Sequence, residues 1–203
     1  MITLYGYNRS RWIKPYWTLN ELGVPFEAKN FRPDYLHAEC PEVLAHNPFA
    51  KLPVLVDGDF SVFESSAIST YLADKYPEKK LSPKPGSRDR ALYDQWISLA
   101  STDLEQPLWR IAKHSFLYPP EKQSEADKIL AREDFLKEAK VLNELITPYL
   151  VGGSFSVADI VMGYTLNWAN GYKLLEDFPK LKSYVVEHTA RGSFPKELFQ
   201  VAR

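Results

Sequence analysis

The chain has one cysteine, Cys40, among its 203 residues. An internal disulfide is therefore excluded, and the four histidines do not fall at metal-ligand spacing with it. Lysine and arginine, 25 together against 26 acidic residues, form no block, so the electrostatic footprint of a nucleic-acid binder is missing. No stretch approaches the roughly 20 apolar residues that span a bilayer. The opening residues, MITLYGYNRSRW, lack a basic segment followed by a long apolar one and do not read as a secretory signal. What is present is an ordinary globular mixture, 45% apolar and 25% charged, able to bury a core. The expectation is a cytoplasmic, metal-free protein.

The pattern changes midway. Ile2 to Tyr5 suits a strand by its β-branched and aromatic content. Trp12, Tyr16, Leu19 and Leu22 then recur at helical spacing, with Gly23 placed to end the helix. Phe26 to Phe31 alternates like a second strand, and Pro41 to His46 allows one or two helical turns. Leu52–Val56 and Phe60–Phe63 read as strands joined around Asp57-Gly58, a hairpin signal. Ser65 or Ser66 then caps a helix that stops before Pro77. This βαβαββα order fills residues 1–78. Residues 79–88, KKLSPKPGSR, read as a linker. From 89 to 203 only helices are expected, over Ala91–Ser115, Glu121–Leu150, Ser156–Tyr172 and Pro179–Arg191. The fold class is a small α/β domain followed by an all-α helical bundle.

Pro53 interrupts the third strand, where a missing N–H is awkward. Two readings follow. The proline begins an edge strand in trans, or the Leu52–Pro53 bond is cis, which X-Pro bonds accept readily. A cis bond would turn the Leu52 backbone out of the sheet, ready to pair with an extended peptide-like ligand. The hairpin then runs into Glu64-Ser65-Ser66 at a helix start, where unpaired N–H groups favour an anion. Ser65 can add a hydroxyl there, and Glu64 can accept from an ammonium. A ligand with an amino-acid head and a peptide tail satisfies both places, which describes glutathione.

The segments ITLYGYNRSR, WTLNELGVPFE, NPFAKLPVLVDGDFSVFESSAISTYLADKYP and GGSFSVADIVMGY together resemble the cytosolic glutathione S-transferases over essentially the whole chain, and within them a serine-type, bacterial-like member. The resemblance implies a thioredoxin-like first domain and a homodimer that joins glutathione, a co-substrate and not a resident cofactor, to a small hydrophobic electrophile. It implies that Leu52, beside cis-Pro53, holds the cysteinyl part of glutathione through its main chain. Glu64 and Ser65 would hold the γ-glutamyl end, and Lys51 would lie near the glycine carboxylate. Ser10 falls where a residue faces the sulfur, and its hydroxyl would favour the thiolate, the attacking species. Tyr5 is the alternative, because tyrosine-type members carry their hydroxyl at the end of the first strand. Tyr7, Trp12 and Trp109 are candidates for an apolar second-substrate pocket between the domains, and Asp103 for a contact across the dimer. A glutathione-dependent reductase, peroxidase or isomerase, or a non-catalytic protein of the same fold, are the rival readings.

Several residues depart from that pattern or have plainer readings. Pro15 sits awkwardly. If Ser10 caps the first helix, the proline lies just past its first turn. If Pro15 is the first helical residue, Ser10 lies outside the helix. Ala50 stands where many relatives have glycine, and would be strained if positive φ is needed there. Ser156 to Asp159 forms a capping box, read as structural. Cys40 does not match a nucleophile position and reads as an incidental thiol.

Overall fold

The computed structural model describes residues 1–31 and 40–199. Contacts group the chain into two units, Met1–Ser82 together with the residues from Arg191 onward, and Pro83–Ala190.

The first unit is a four-stranded sheet with helices packed on it. Strand β1 (Ile2–Gly6) is buried along its whole length. Helix α1 (Ile13–Leu22) follows, and Gly23 ends it in the left-handed region at φ 66°, donating to Leu19 and Asn20 carbonyls. Strand β2 (Phe26–Asn30) lies parallel to β1. Beyond the one-turn helix α2 (Pro41–Leu44), β3 (Val54–Asp57) pairs antiparallel to β1 and β4 (Phe60–Phe63) antiparallel to β3. The order across the sheet is β2-β1-β3-β4. Asp57 pairs with Phe60, so the hairpin turns on Gly58 and Asp59, with Gly58 at φ 65°. Helix α3 (Ser65–Lys75) packs against α1, burying Ile68, Leu72 and Ala73 where α1 buries Trp17, Leu19 and Leu22.

Strand β3 starts at Val54, two residues later than the apolar run suggested. Leu52 and Pro53 therefore stand ahead of the ladder, and the bond between them is cis.

The second unit is helical. Helix α4 (Arg88–Leu99) is capped by the Ser87 hydroxyl, which accepts from the Arg90 N–H at 3.1 Å. The run expected as one helix over Ala91–Ser115 continues through a π-helical turn, Ala100–Leu104, into α5 (Glu105–Ala112) and a second such turn, Lys113–Leu117. Helix α6 (Glu125–Leu145) is shorter than the expected Glu121–Leu150. Its start is set by Ser124, whose hydroxyl accepts from Asp127 N–H at 3.2 Å, after Pro119 and Pro120 have held the chain out of the helix. It ends at Ile146, which is extended, two residues ahead of Pro148. Helix α7 (Val157–Gly171) is buried from Val157 through Leu166 and forms the unit's centre. Helix α8 (Pro179–Thr189) opens on a proline at its first position. No described helix is long and apolar enough to cross a membrane.

The expectation that residues 89–203 form one helical domain differs from the structure at its end. Helix α8 stops at Thr189, and from Arg191 the chain joins the first unit. The cause is a set of side-chain bonds to α1, in which Arg191 grips Glu21 at 2.5 and 3.1 Å and Asn20 donates to the Ser193 carbonyl at 2.9 Å.

Candidate active site

The sheet register defines one end of the first unit. Tyr5 of β1 pairs with Val54 of β3, and Val54 pairs with Phe63 of β4. Beyond that row, on the same edge, the chain leaves β1 toward Ser10, enters β3 through Leu52-Pro53 and leaves β4 into Glu64-Ser65. With neighbouring strands roughly 4.8 Å apart, the three openings lie across about 10 Å. The sequence-selected residues Ser10, Leu52, Pro53, Glu64 and Ser65 thus all belong to one end of the sheet, with Lys51 exposed beside them.

Ser10 is 7% exposed. Its hydroxyl donates to the Tyr7 carbonyl at 2.7 Å and accepts a long bond from the Trp12 N–H at 3.4 Å. The chain then makes a tight lead-in turn, with Ile13 N–H donating to the Ser10 carbonyl and Lys14 N–H to the Arg11 carbonyl, both at 3.2 Å. The first full helical bond is Tyr16 N–H to the Trp12 carbonyl at 3.0 Å. Neither arrangement expected for Pro15 holds. The proline is the third residue of α1, a position whose N–H has no partner within a helix in any case.

Trp12 requires a correction. It is 1% exposed, and a Cβ built on Gly6 would come within 2.3 Å of its indole. The ring therefore lies on the bare backbone at the end of β1, wedged further by Tyr16 at a centroid distance of 5.3 Å. It is core, and does not line an open pocket. Tyr7 is half-buried, and burial pushes its hydroxyl pKa up despite the opposing charge of Arg11. Trp109, on α5, is half-buried, and Asp103 is exposed, accepting from the Thr102 hydroxyl at 2.8 Å.

Tyr5 has other partners than Ser10. Its ring stacks on Phe31 at 6.1 Å, lies 5.7 Å from His46, and packs with Val43 and Val54. Lys29 lies 5.0 Å over the ring, reaches the hydroxyl at 3.5 Å and pairs with Glu42. The Tyr5 hydroxyl thus sits in the Lys29–Glu42 cluster beneath the sheet end. Cys40 packs against this same apolar cluster.

Helix α3 begins differently from the expectation. Neither serine caps it. Glu64 is the capping residue, at φ 72° and ψ 113° with no side-chain cap bond, and Ser65 is the first helical residue, buried. The first turn of α3 carries no acidic side chain, so its positive end is not offset from within the helix.

Asn47 is a residue that sequence reasoning missed. It is buried, donates to the Lys51 carbonyl at 2.7 Å and accepts from the Phe49 N–H at 3.0 Å, which holds the loop entering β3. The Asn-Pro pair was the available signal, since asparagine bonds its own following backbone in turns. That loop also holds Ala50 at φ 53°. Arg9, Ala50 and Glu64 all take the left-handed region, and all three border this end of the sheet. Such residues persist only where surroundings enforce them, and they gather at functional sites. Among the described residues, no group of three or more His, Cys, Asp or Glu is placed to hold a metal ion.

A thioredoxin-like sheet followed by a helical unit defines a two-domain fold class, and comparison narrows the class. Residues 1–74 match the model for the glutathione S-transferase N-terminal domain and residues 107–191 the model for its C-terminal domain. The chain is 36% identical to glutathione S-transferase F10 of Arabidopsis thaliana over 152 residues, which cover 70% of this chain and 69% of that one. With glutathione S-transferase F6 of the same plant it shares 30% over 190 residues, covering 89% and 90%. The crystal structure of glutathione transferase URE2P6 from Phanerochaete chrysosporium in complex with oxidised glutathione superposes with a TM-score of 0.84 at 25% identity, over 96% of this chain and 93% of that one. The chain belongs to the glutathione S-transferase family.

Proposed function

We propose that the protein conjugates glutathione, as its thiolate, to a small hydrophobic electrophile. The observation that carries this reading is the shared sheet end, where Ser10, a backbone segment outside the ladder and a helix whose first turn has no acidic residue meet at the same end. In this reading the Leu52 main chain pairs with the cysteinyl unit beside Pro53. The γ-glutamyl carboxylate takes the N–H groups of α3 with the Ser65 hydroxyl, and Glu64 accepts from its ammonium. Lys51 faces the glycine carboxylate.

Ser10 supplies the activation. A free thiol has a pKa of about 8.5, so little is ionised at neutral pH. The Ser10 hydroxyl turns from the Tyr7 carbonyl and donates to the sulfur, which favours loss of the thiol proton to solvent. The thiolate electron pair then forms the C–S bond as the leaving group departs with its own pair. Positioning and thiolate stabilisation carry the rate. Tyr7 and Trp109 are the second-substrate candidates that stay open to such a role. A cytoplasmic homodimer, with Asp103 reaching the partner, belongs to the same proposal.

Ser10→Ala is expected to lower kcat about 10²-fold, the usual cost of one donor to a developing or stabilised anion, while KM for glutathione changes by less than about threefold. Tyr5→Phe is expected to leave kcat nearly unchanged. The assay is conjugation of a generic aryl halide, and the reverse pattern between the two variants would overturn the assignment.

A further inference from the structure

Arg9 stands immediately before Ser10 at φ 62°, a conformation that a residue with a side chain keeps only under constraint. Two bonds impose it. On one side the Ser10 hydroxyl closes on the Tyr7 carbonyl at 2.7 Å. On the other side the Arg9 N–H donates to the Leu198 carbonyl at 3.0 Å. Leu198 is buried in a short turn, Lys196–Phe199, of the segment that follows α8. That segment is fastened to α1 at successive points. Arg191 and Ser193 both bond the Glu21 carboxylate, Trp17 donates its indole N–H to the Ser193 hydroxyl at 3.1 Å, and Phe194 meets the Trp17 ring edge-on at 4.9 Å. Phe194 in turn stacks on Phe199 at 5.1 Å.

We infer that Arg191–Leu198 is a positioning strap that fixes the hydroxyl of Ser10 for thiol activation. The inference rests on the reading of Ser10 given above and adds the elements that hold it. A serine hydroxyl has one proton, and the Tyr7 carbonyl takes it in the structure. Redirecting that proton to a sulfur needs only rotation about the Cβ–Oγ bond, provided the backbone stays fixed. Without the Leu198 bond, Arg9 is free to leave the left-handed region, and Ser10 moves with it. The contacts proposed for glutathione at Leu52, Glu64 and Ser65 lie on other segments. A loosened strap therefore separates two quantities, leaving binding of the neutral thiol form in place while the thiolate is lost.

The test uses full-length Phe194→Ala, Arg191→Gln and Ser10→Ala. The readouts are the ultraviolet absorbance of the enzyme-bound thiolate against pH, and KM for glutathione. Phe194→Ala is expected to raise the bound thiol pKa by about one unit, with turnover falling about tenfold below neutral pH and converging on wild type at high pH. Arg191→Gln, which undoes only the ion pair, is expected to give about a threefold fall of the same shape. It decides the matter if Phe194→Ala fails to fold. If Ser10→Ala raises the thiol pKa and the strap variants do not, the strap inference is wrong and the Ser10 reading stands. If Ser10→Ala itself leaves the pKa unmoved, both are wrong.

Discussion

Helices α3 and α7 start with the same electrostatic problem and meet it in opposite ways. At α7 the third residue is Asp159, fully buried. One of its oxygens accepts from the Ser156 N–H at 2.8 Å and the Ser156 hydroxyl at 2.9 Å, the other from the Leu150 N–H at 2.9 Å and the Tyr184 hydroxyl at 2.8 Å. Burial, reinforced by that carboxylate, holds the Tyr184 hydroxyl pKa well above its ordinary range. At α3 the third residue is Ala67, exposed, and the cap is Glu64, which makes no side-chain cap bond. One helix carries its own anion and closes its end. The other has no acidic side chain within its first turn, at the end of the sheet where a ligand's carboxylate is proposed to bind. The difference separates a helix end used for stability from one kept for binding.

That comparison can be broken from either side. Asp159→Ala should cost about 3–5 kcal/mol of stability, since it leaves several buried donors unmet at once, and a fall in the denaturant midpoint would register it. Ala67→Asp transplants the α7 arrangement into α3. It should weaken glutathione binding about tenfold, near 1.4 kcal/mol, by titration calorimetry, while α3 itself gains a few tenths of a kcal/mol. An unchanged affinity would mean that the α3 start takes no anion.

Glu21 is a third case, a carboxylate met by a guanidinium and a hydroxyl. Burial alone would raise its pKa, but the bonds from Arg191 and Ser193 outweigh burial and hold it below 4.5. A depressed carboxyl adds stability above its unfolded pKa, and that contribution fades as pH falls through the folded value. Glu21→Gln should therefore cost about 1 kcal/mol at neutral pH, with the gap to wild type closing on acidification below about 4.5. The smallest effect is expected at Ala50. Ala50→Gly removes the penalty of a side chain at φ 53° and should raise stability by about 0.5 kcal/mol in the same denaturant titration, against the usual direction for glycine.

Local signals carried much of this molecule. Alternation over Phe26–Phe31, the Asp57-Gly58 turn signal and the Ser156–Asp159 box each name their structure within a few residues, and each element is present. The family resemblance, carried by motifs in the same stretches, is upheld by both domain models. What failed to show was long-range or non-repetitive. Trp12 keeps helical spacing like any amphipathic residue, and only the packing on Gly6 makes it core. The pairing of Arg191 with Glu21 spans 170 positions and leaves no periodic trace. The π-helical turns inside the long helix after Ser87 are likewise invisible, because they are defined by their i→i+5 backbone bonds and not by residue type.

Arg9, Ala50 and Glu64 keep backbone shapes that most side chains resist. Heat adaptation in the absence of substrate would find ready improvements at those three positions. Each improvement would also let a rim of the first unit drift from its present shape. Lys173 is the one described non-glycine residue of the helical unit in such a shape, at φ 58°, so selection for thermal hardiness alone should fall more heavily on this end of the protein than on the helical unit.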